Sequence, residues 1–301
     1  MIERANVLYR LPRGIVKGLS GVTAPWDAYS EGNGFLVSSA GLESPPFLLT
    51  GKEIKPDDFK MLNRDCELEE ETSYVELVSK AVRFIHAGSI DKVVLSGFRY
   101  KPFTADLVKV FHQLCDAYPH CMVVLWSGEK SGTWVGASPE LLLRGDEHQW
   151  ETSSLAGTAL TDDQWGDKES EEQAFVTNHI ERCCHAFSIP FTRIESPIEM
   201  GNVRHLQTKF ELVPKKVRVF TFLQQLHPTP AVVGLPRMEA WRFIEQFEGH
   251  QRNLYTGYWG VWEGCKNFDL FVNIRCARVG MERIKIYGGA GITHASDRTL
   301  S

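Results

Sequence analysis

Residues 121–152, CMVVLWSGEKSGTWVGASPELLLRGDEHQWET, decide the fold class. Four short runs, Cys121–Trp126, Thr133–Ala137, Glu140–Arg144 and His148–Thr152, alternate with turn residues, the pattern of an antiparallel meander. Upstream, Ser73 can cap a helix whose Val75, Val78, Val82 and Ile85 recur at helical spacing and which Gly88 ends. Lys92–Ser96 reads as a buried strand, and 104–117 as a helix with Leu107, Val108, Phe111 and Leu114 on one face. Downstream, helices are predicted at 167–187, 218–226 and 237–248, and strands at 191–195, 203–212, 254–262, 268–279 and 283–288. Strands and helices interleave without a regular βαβ period, which predicts an α+β fold with mainly antiparallel sheets. Residues 1–60, with Gly and Pro scattered through Pro12 to Pro56, read as loop-rich.

The chain has 301 residues, 43% hydrophobic and 24% charged, enough for one large domain or two small ones. A net charge of −5, with no basic block beyond Lys215-Lys216, argues against nucleic acid or an anionic membrane as partner. No apolar stretch approaches the ~20 residues of a membrane span, and the N-terminus lacks a hydrophobic signal region. The expectation is a cytoplasmic protein. Seven cysteines is an odd number, and none forms a C-x-x-C pair. Cys115, Cys121 and Cys276 lie among apolar residues and Cys183-Cys184 are adjacent, so reduced structural cysteine is expected.

Several segments carry candidate chemistry. Ser153–Thr158 and Tyr287–Ile292 read as two small-residue turns suited to close backbone approach by a carboxylate. Arg275, in an apolar strand, needs an anionic partner, which an internal carboxylate or a ligand could equally supply. Glu169, Glu171 and Glu172 open a helix, with Glu169 and Glu172 on one face; they complement the helix dipole or offer oxygens to a hard cation. Lys92 and Glu140 each border an apolar run, where burial disfavours the charged form and suits a base and an acid respectively. Taken singly, either could be a strand-end surface charge.

In order along the chain, the stretches DKVVLS (91–96), GASPELLL (136–143), LAGT (155–158), DKESEEQAFV (167–176), HLQT (205–208), LHPTPAVVGLP (226–236), IRCAR (274–278) and GGAGI (288–292) carry one family pattern. The chain resembles the chorismate-utilising enzymes, which include isochorismate, anthranilate, aminodeoxychorismate and salicylate synthases. The first 60 residues match no part of that pattern.

The resemblance implies a single domain over 1–301, with two layered antiparallel sheets surrounded by helices and the site in a cleft between them. It implies a monomer acting on chorismate with Mg2+, as an isomerase serving menaquinone or siderophore biosynthesis. A lysine at position 92 and an alanine at 231 are similar to the water-using isochorismate synthases; ammonia-using anthranilate synthases usually carry glutamine at the first position. Lys92 would then deprotonate water attacking C2 of the ring, and Glu140 would protonate the hydroxyl leaving C4. Glu172, with Glu169 nearby, would hold magnesium. Arg275, Tyr255 and the backbone at Gly289 would hold the enolpyruvyl carboxylate, with Ala156, Gly157 and Thr158 against the ring. His205 matches a histidine that assists pyruvate loss in lyase members.

The chain departs from the pattern at Gly97, where the family usually has arginine, and after Ile292, where the family continues into a helix bearing Glu-Trp-x-Glu-Thr and a lysine. On this reading a second magnesium carboxylate and a substrate-binding lysine are missing, and a truncated or frame-shifted form with impaired activity is expected. The rival readings are a salicylate synthase, which also eliminates pyruvate, and a non-catalytic relic.

Overall fold

The computed structural model describes residues 1–27, 29–30, 32–42, 45–63, 65–66, 68–69, 73–160, 167–200, 203–294 and 296; for 156–160, 167–170, 197–200 and 203–206 it describes the backbone alone. The chain divides into two compact units of interleaved segments: Met1–Glu69, Phe98–Leu142 and Gln251–Gly288 form the first, and Glu70–Gly97, Leu143–His250 and Gly289–Ser301 the second.

The first unit is built on an antiparallel sheet. Residues 1–60, expected to be loop-rich, instead supply four strands: β1 (Arg4–Arg10), β2 (Val16–Pro25), β3 (Asn33–Ser38) and β4 (Phe47–Glu53). Their runs are short and their alternation imperfect, so the signal comes from pairing partners rather than local pattern. A single turn of 3₁₀ helix follows at Pro56–Asp58.

The quoted run is not one four-strand meander: β6 (Met122–Gly128) and β7 (Gly132–Ser138) pair as a hairpin after β5 (Lys92–Pro102) and helix α2 (Leu107–Ala117), while its last two runs pair with each other in the second unit. The last strands of this unit are β13 (Tyr258–Glu263), β14 (Phe268–Val272), β15 (Cys276–Val279) and the first part of β16 (Arg283–Thr293). Within the unit the strand order is β14-β13-β3-β4-β2-β1-β6-β7-β15-β16.

Every residue of β6 is buried, because the strand has a core on each face. Met122, Val124 and Trp126 join Val7, Phe35, Trp134, Trp259 and Tyr287 in one cluster. Val123 and Leu125 join Leu8, Phe111 and Val279 in the other, under α2. This explains why CMVVLW runs apolar without alternation. Burying each such large side chain stabilises by about 1.5–3 kcal/mol. Helix α2 starts three residues later than expected, because Asp106 Oδ1 accepts the N–H of Val108 at 2.9 Å and of Lys109 at 3.2 Å.

In the second unit, β9 (Trp150–Leu160) pairs with β11 (Val203–Leu212), which pairs with β10 (Phe191–Met200), all antiparallel. The short strand β8 (Leu141–Gly145) leads into β9. The helices are α1 (Tyr74–His86), α3 (Asp167–Ala186), α4 (Val219–Leu226) and α5 (Arg237–Phe247); the two-residue strand β12 (Gly234–Leu235) pairs with the start of β5.

Ser73 caps α1 as expected, its Oγ accepting the Glu76 N–H, and Gly88 follows the helix end at φ 73°. Cys183 and Cys184 are buried, and burial pushes their thiols up to about 11 and about 12. All seven cysteines are free. Among the described residues no helix is long and apolar enough to cross a membrane. The architecture is α+β with mainly antiparallel pairing, as the sequence predicts.

Candidate active site

In the second unit, Lys92 opens β5 and is 3% exposed. Its backbone is held by β12, where Leu235 pairs with Lys92 and Gly234 with Val93. Gly234 takes φ 128°, and a Cβ there would lie 2.1 Å from Lys92 O, so no other residue fits this crossing.

The aliphatic stem and amine of Lys92 approach Gly291 on β16. A Cβ built on Gly291 would sit 3.1 Å from Lys92 Cε, 3.7 Å from its Nζ and 3.3 Å from Glu172 Oε1. Three elements distant in sequence thus bring an amine and a carboxylate to one small cradle that only glycine leaves open. Phe175, one residue short of a turn beyond Glu172 on α3, places its ring centroid 5.9 Å from Lys92 Nζ.

The seat of α3 is fixed by a buried polar network. Gln173 Nε2 donates to Ser154 Oγ at 2.8 Å and Thr208 Oγ1 at 3.0 Å, and Ser154 Oγ lies 3.0 Å from Thr177 Oγ1. These bonds tie the helix to β9 and β11 and so set where Glu172, the neighbouring residue, stands. Such networks specify geometry because each unmet bond would leave a buried polar group unsatisfied.

The two expected turns are not turns. Ser153–Thr158 lies inside β9 and Tyr287–Ile292 inside β16, both continuous strands. In β16, Gly291 serves close approach to Lys92 and Glu172, whereas a Cβ at Gly288 would meet nothing. At LAGT the ladder skips a residue: Leu206 pairs with Ala156 and His205 with Thr158, leaving Gly157 as a bulge. The side chains of Ala156, Thr158, Glu169 and His205 lie outside the described residues. Gly289 is exposed on β16.

In the first unit, Glu140 is 6% exposed in the link between β7 and β8. Ser138 Oγ donates to Val272 O at 2.5 Å and accepts the Glu140 N–H at 3.3 Å, while Val272 N–H donates to Glu140 O at 3.0 Å. Arg275 is not in a strand, a second correction. The run 268–279 splits into β14 and β15, and Arg275 sits in the intervening bend, exposed, at φ 52°. A non-glycine residue in that region is uncommon and marks a constrained position.

The bend is pinned by buried Asn273, whose Nδ2 donates to Leu254 O at 2.7 Å and whose N–H donates to Gly257 O at 2.7 Å. Tyr255 lies in that gripped segment, its ring stacked 4.9 Å from Tyr287, which stacks in turn on Trp134 at 5.6 Å. Ala137 N–H donates to Arg275 O at 3.2 Å. The β14–β15 bend therefore joins Glu140, Tyr255 and Arg275 in one bonded assembly. Burial raises the Tyr287 hydroxyl far above its usual range.

Sequence reasoning missed Gln173, Thr177, Gly234 and Asn273, and took Ser154 for part of a turn rather than an anchor of α3. An amide and two hydroxyls at i, i+4 and on facing strands give no local pattern, and Asn273 was legible only as a polar residue inside an apolar run.

Among the described residues no three His, Cys, Asp or Glu side chains gather. A metal in this unit would rest on Glu172, half-buried beside the cradle, together with water and ligand oxygens, a donor set acceptable to Mg2+.

The profile of the family described as "Chorismate binding enzyme" matches residues 48–299. Isochorismate synthase EntC of Escherichia coli (strain K12) is 31% identical over 250 residues, 75% of this chain and 62% of that protein. Anthranilate synthase component 1 of Saccharolobus solfataricus is 28% identical over 258 residues, 80% of this chain and 61% of the relative. The chain thus spans about three fifths of the length of these relatives. The solved structure of MenF, the menaquinone-specific isochorismate synthase from Escherichia coli, superposes with a TM-score of 0.80 at 19% identity, covering 98% of this chain and 84% of that one, which shows the fold.

Proposed function

Because the chain belongs to the chorismate binding enzymes, we propose that it is an isochorismate synthase, an isomerase that converts chorismate to isochorismate. The observation that carries this reading is the cradle of Lys92, Glu172 and Gly291. The name of the relative from Escherichia coli supports the same choice.

In this mechanism Lys92, neutral, takes a proton from water as its oxygen bonds to C2. The ring double bonds shift, the C4–oxygen bond breaks, and Glu140, protonated, gives its proton to the departing hydroxyl. Water is consumed and water is released, so the balance is an isomerisation. Two buried sites with different partners can hold a neutral base and a neutral acid at one pH. Arg275, Tyr255 and the backbone at Gly289 orient the enolpyruvyl carboxylate, and the Ala156–Thr158 bulge meets the ring. Glu172, with Glu169 at i−3 on the same helix face, would hold Mg2+, which when bound would neutralise the ring carboxylate. His205, whose backbone pairs with Thr158 at the bulge, is left without an assigned step in an isomerase. The whole of 1–301 acts as one catalytic domain on this proposal, as a cytoplasmic monomer.

Chromatography of the products formed from chorismate with Mg2+ tests the reading. Isochorismate as the sole product is expected; salicylate with pyruvate, or anthranilate formed with ammonia, overturns it. Lys92→Ala is expected to lower kcat by about 10²–10⁴-fold, the usual contribution of a general base.

A further inference from the structure

Ser96 stands four residues beyond Lys92 on β5, on the same side of the strand by alternation. The β12 ladder covers only Lys92 and Val93, and the Val94 N–H goes to Val233 O at 2.8 Å. Beyond that point a side chain takes over. Glu248 Oε2 accepts the Ser96 N–H at 3.0 Å while Oε1 accepts the Ser96 hydroxyl at 2.6 Å. One carboxylate grips one residue with both oxygens and does for β5 what the next strand's carbonyl would do.

The location is costly. Glu248 is 1% exposed and is the C-cap of α5, where the helix end already carries partial negative charge. His250 closes the cluster: its Nε2 lies 2.9 Å from Ser96 Oγ and 3.3 Å from Glu248 Oε1, with the side chain 3% exposed. With the hydroxyl proton directed to Glu248, Ser96 Oγ is left to accept from a His250 Nε2–H. All three residues belong to the same unit as Lys92 and Glu172. A broken local rule inside a buried, hydrogen-bonded cluster is the mark of a functional constraint.

We infer that Glu248 is a positioning residue: with His250 it clamps Ser96, fixing the strand that carries Lys92 so that the amine stays seated at the Gly291 cradle beside Glu172. The inference rests on the reading of Lys92 as the base. Glu248 itself need touch no reacting atom.

Competitive acetylation of the whole chain with acetic anhydride, read lysine by lysine by mass spectrometry, tests the clamp without requiring turnover. In the wild type Lys92 should label slowly. Ser96→Ala and Glu248→Ala should each raise its labelling about fivefold, the shift expected from losing one net hydrogen bond. Glu248→Gln, which keeps an acceptor for the Ser96 N–H, should restore slow labelling. Exposed Lys266 and buried Lys285, in the other unit, are the references and should not change.

Lys92 labelling within twofold of wild type in both alanine variants overturns the inference. So does a rise in Lys92 labelling matched by Lys285, which would make Glu248 a general stabiliser. With chorismate as substrate, Ser96→Ala should lower kcat per folded enzyme while leaving KM within about twofold, as loss of ground-state-neutral positioning does. If chorismate is not turned over by the wild type, the proposed function fails while the labelling result still decides the clamp.

Discussion

Replacing Gly291 by alanine adds one carbon to the space between Lys92 and Glu172, and the structure gives the size of the effect. The new Cβ would lie 3.1 Å from Lys92 Cε and 3.3 Å from Glu172 Oε1, each a few tenths of an ångström too close. Both neighbours are the far ends of flexible side chains, and Gly291 lies in a regular strand whose backbone alanine can adopt. Alanine should gain about 0.4–1 kcal/mol by restricting the unfolded chain. Moving Lys92 off its rotamer should cost about 0.5–1.5 kcal/mol. The two nearly cancel, so Tm should stay within about 4 °C of wild type.

Activity should not be spared. A shift of a few tenths of an ångström at a reacting group is a fraction of the ~1 Å misplacement that costs about 10²-fold, so a fall of about tenfold is expected, or about 1.4 kcal/mol of transition-state stabilisation. The assay is chorismate consumption by chromatography with Mg2+, beside a thermal scan of the same preparation. A kcat/KM within threefold of wild type would refute the reasoning, because the cradle would then not be where the reacting ring sits. A fall in Tm of more than about 8 °C with a proportionate activity loss would refute it differently, by showing that Gly291 is a packing position.

Gly234→Ala should behave in the opposite way. Its Cβ would meet the backbone oxygen of Lys92 at 2.1 Å, and its φ of 128° is strained for any side chain, so a loss of about 2–3 kcal/mol or more is expected in urea unfolding. A variant as stable as wild type would show that β12 does not hold Lys92.

His179 should impose a pH dependence on stability. Burial pushes its imidazole down to about 4, against a partly restoring hydrogen bond with Leu226 O at 2.9 Å. The unfolded chain then binds the proton more readily, so this contribution is complete above about pH 6.5 and is lost as pH falls toward 4. Across that window the loss is about 3 kcal/mol, which denaturant melts at intervals of pH would measure and His179→Gln should abolish. An unchanged slope in the variant would remove His179 as the cause.

Much of the fold was legible because the strongest elements advertise themselves locally. Ser73 and Gly88 bracket α1, and CMVVLW reads as a strand whatever covers its faces. The first 53 residues were misread because β1 to β4 are stabilised by pairing in a ten-strand order, which leaves only a weak trace in runs such as NVLYR and GFLV. Tyr287–Ile292 was misread because glycines signal permission for close approach, and a turn and a crowded strand need that permission equally.

For the site, residue types marked Lys92, Glu140, Glu172 and Arg275 as candidates that each kept a structural alternative, and only the family resemblance gave them roles and set Tyr255 beside them. Burial and partners were not readable, because they depend on residues far away in sequence: Gly291 for Lys92, Val272 for Glu140. Only the tertiary structure set Gly291 against Lys92 and Glu172, moved Arg275 out of its strand into a left-handed bend, and gave Ser96 a carboxylate in place of a strand. The physical reason is that hydrophobic periodicity fixes which way a side chain faces along its own element. What it then faces is fixed by register and packing between elements, where the energy resides in non-local contacts that no local window contains.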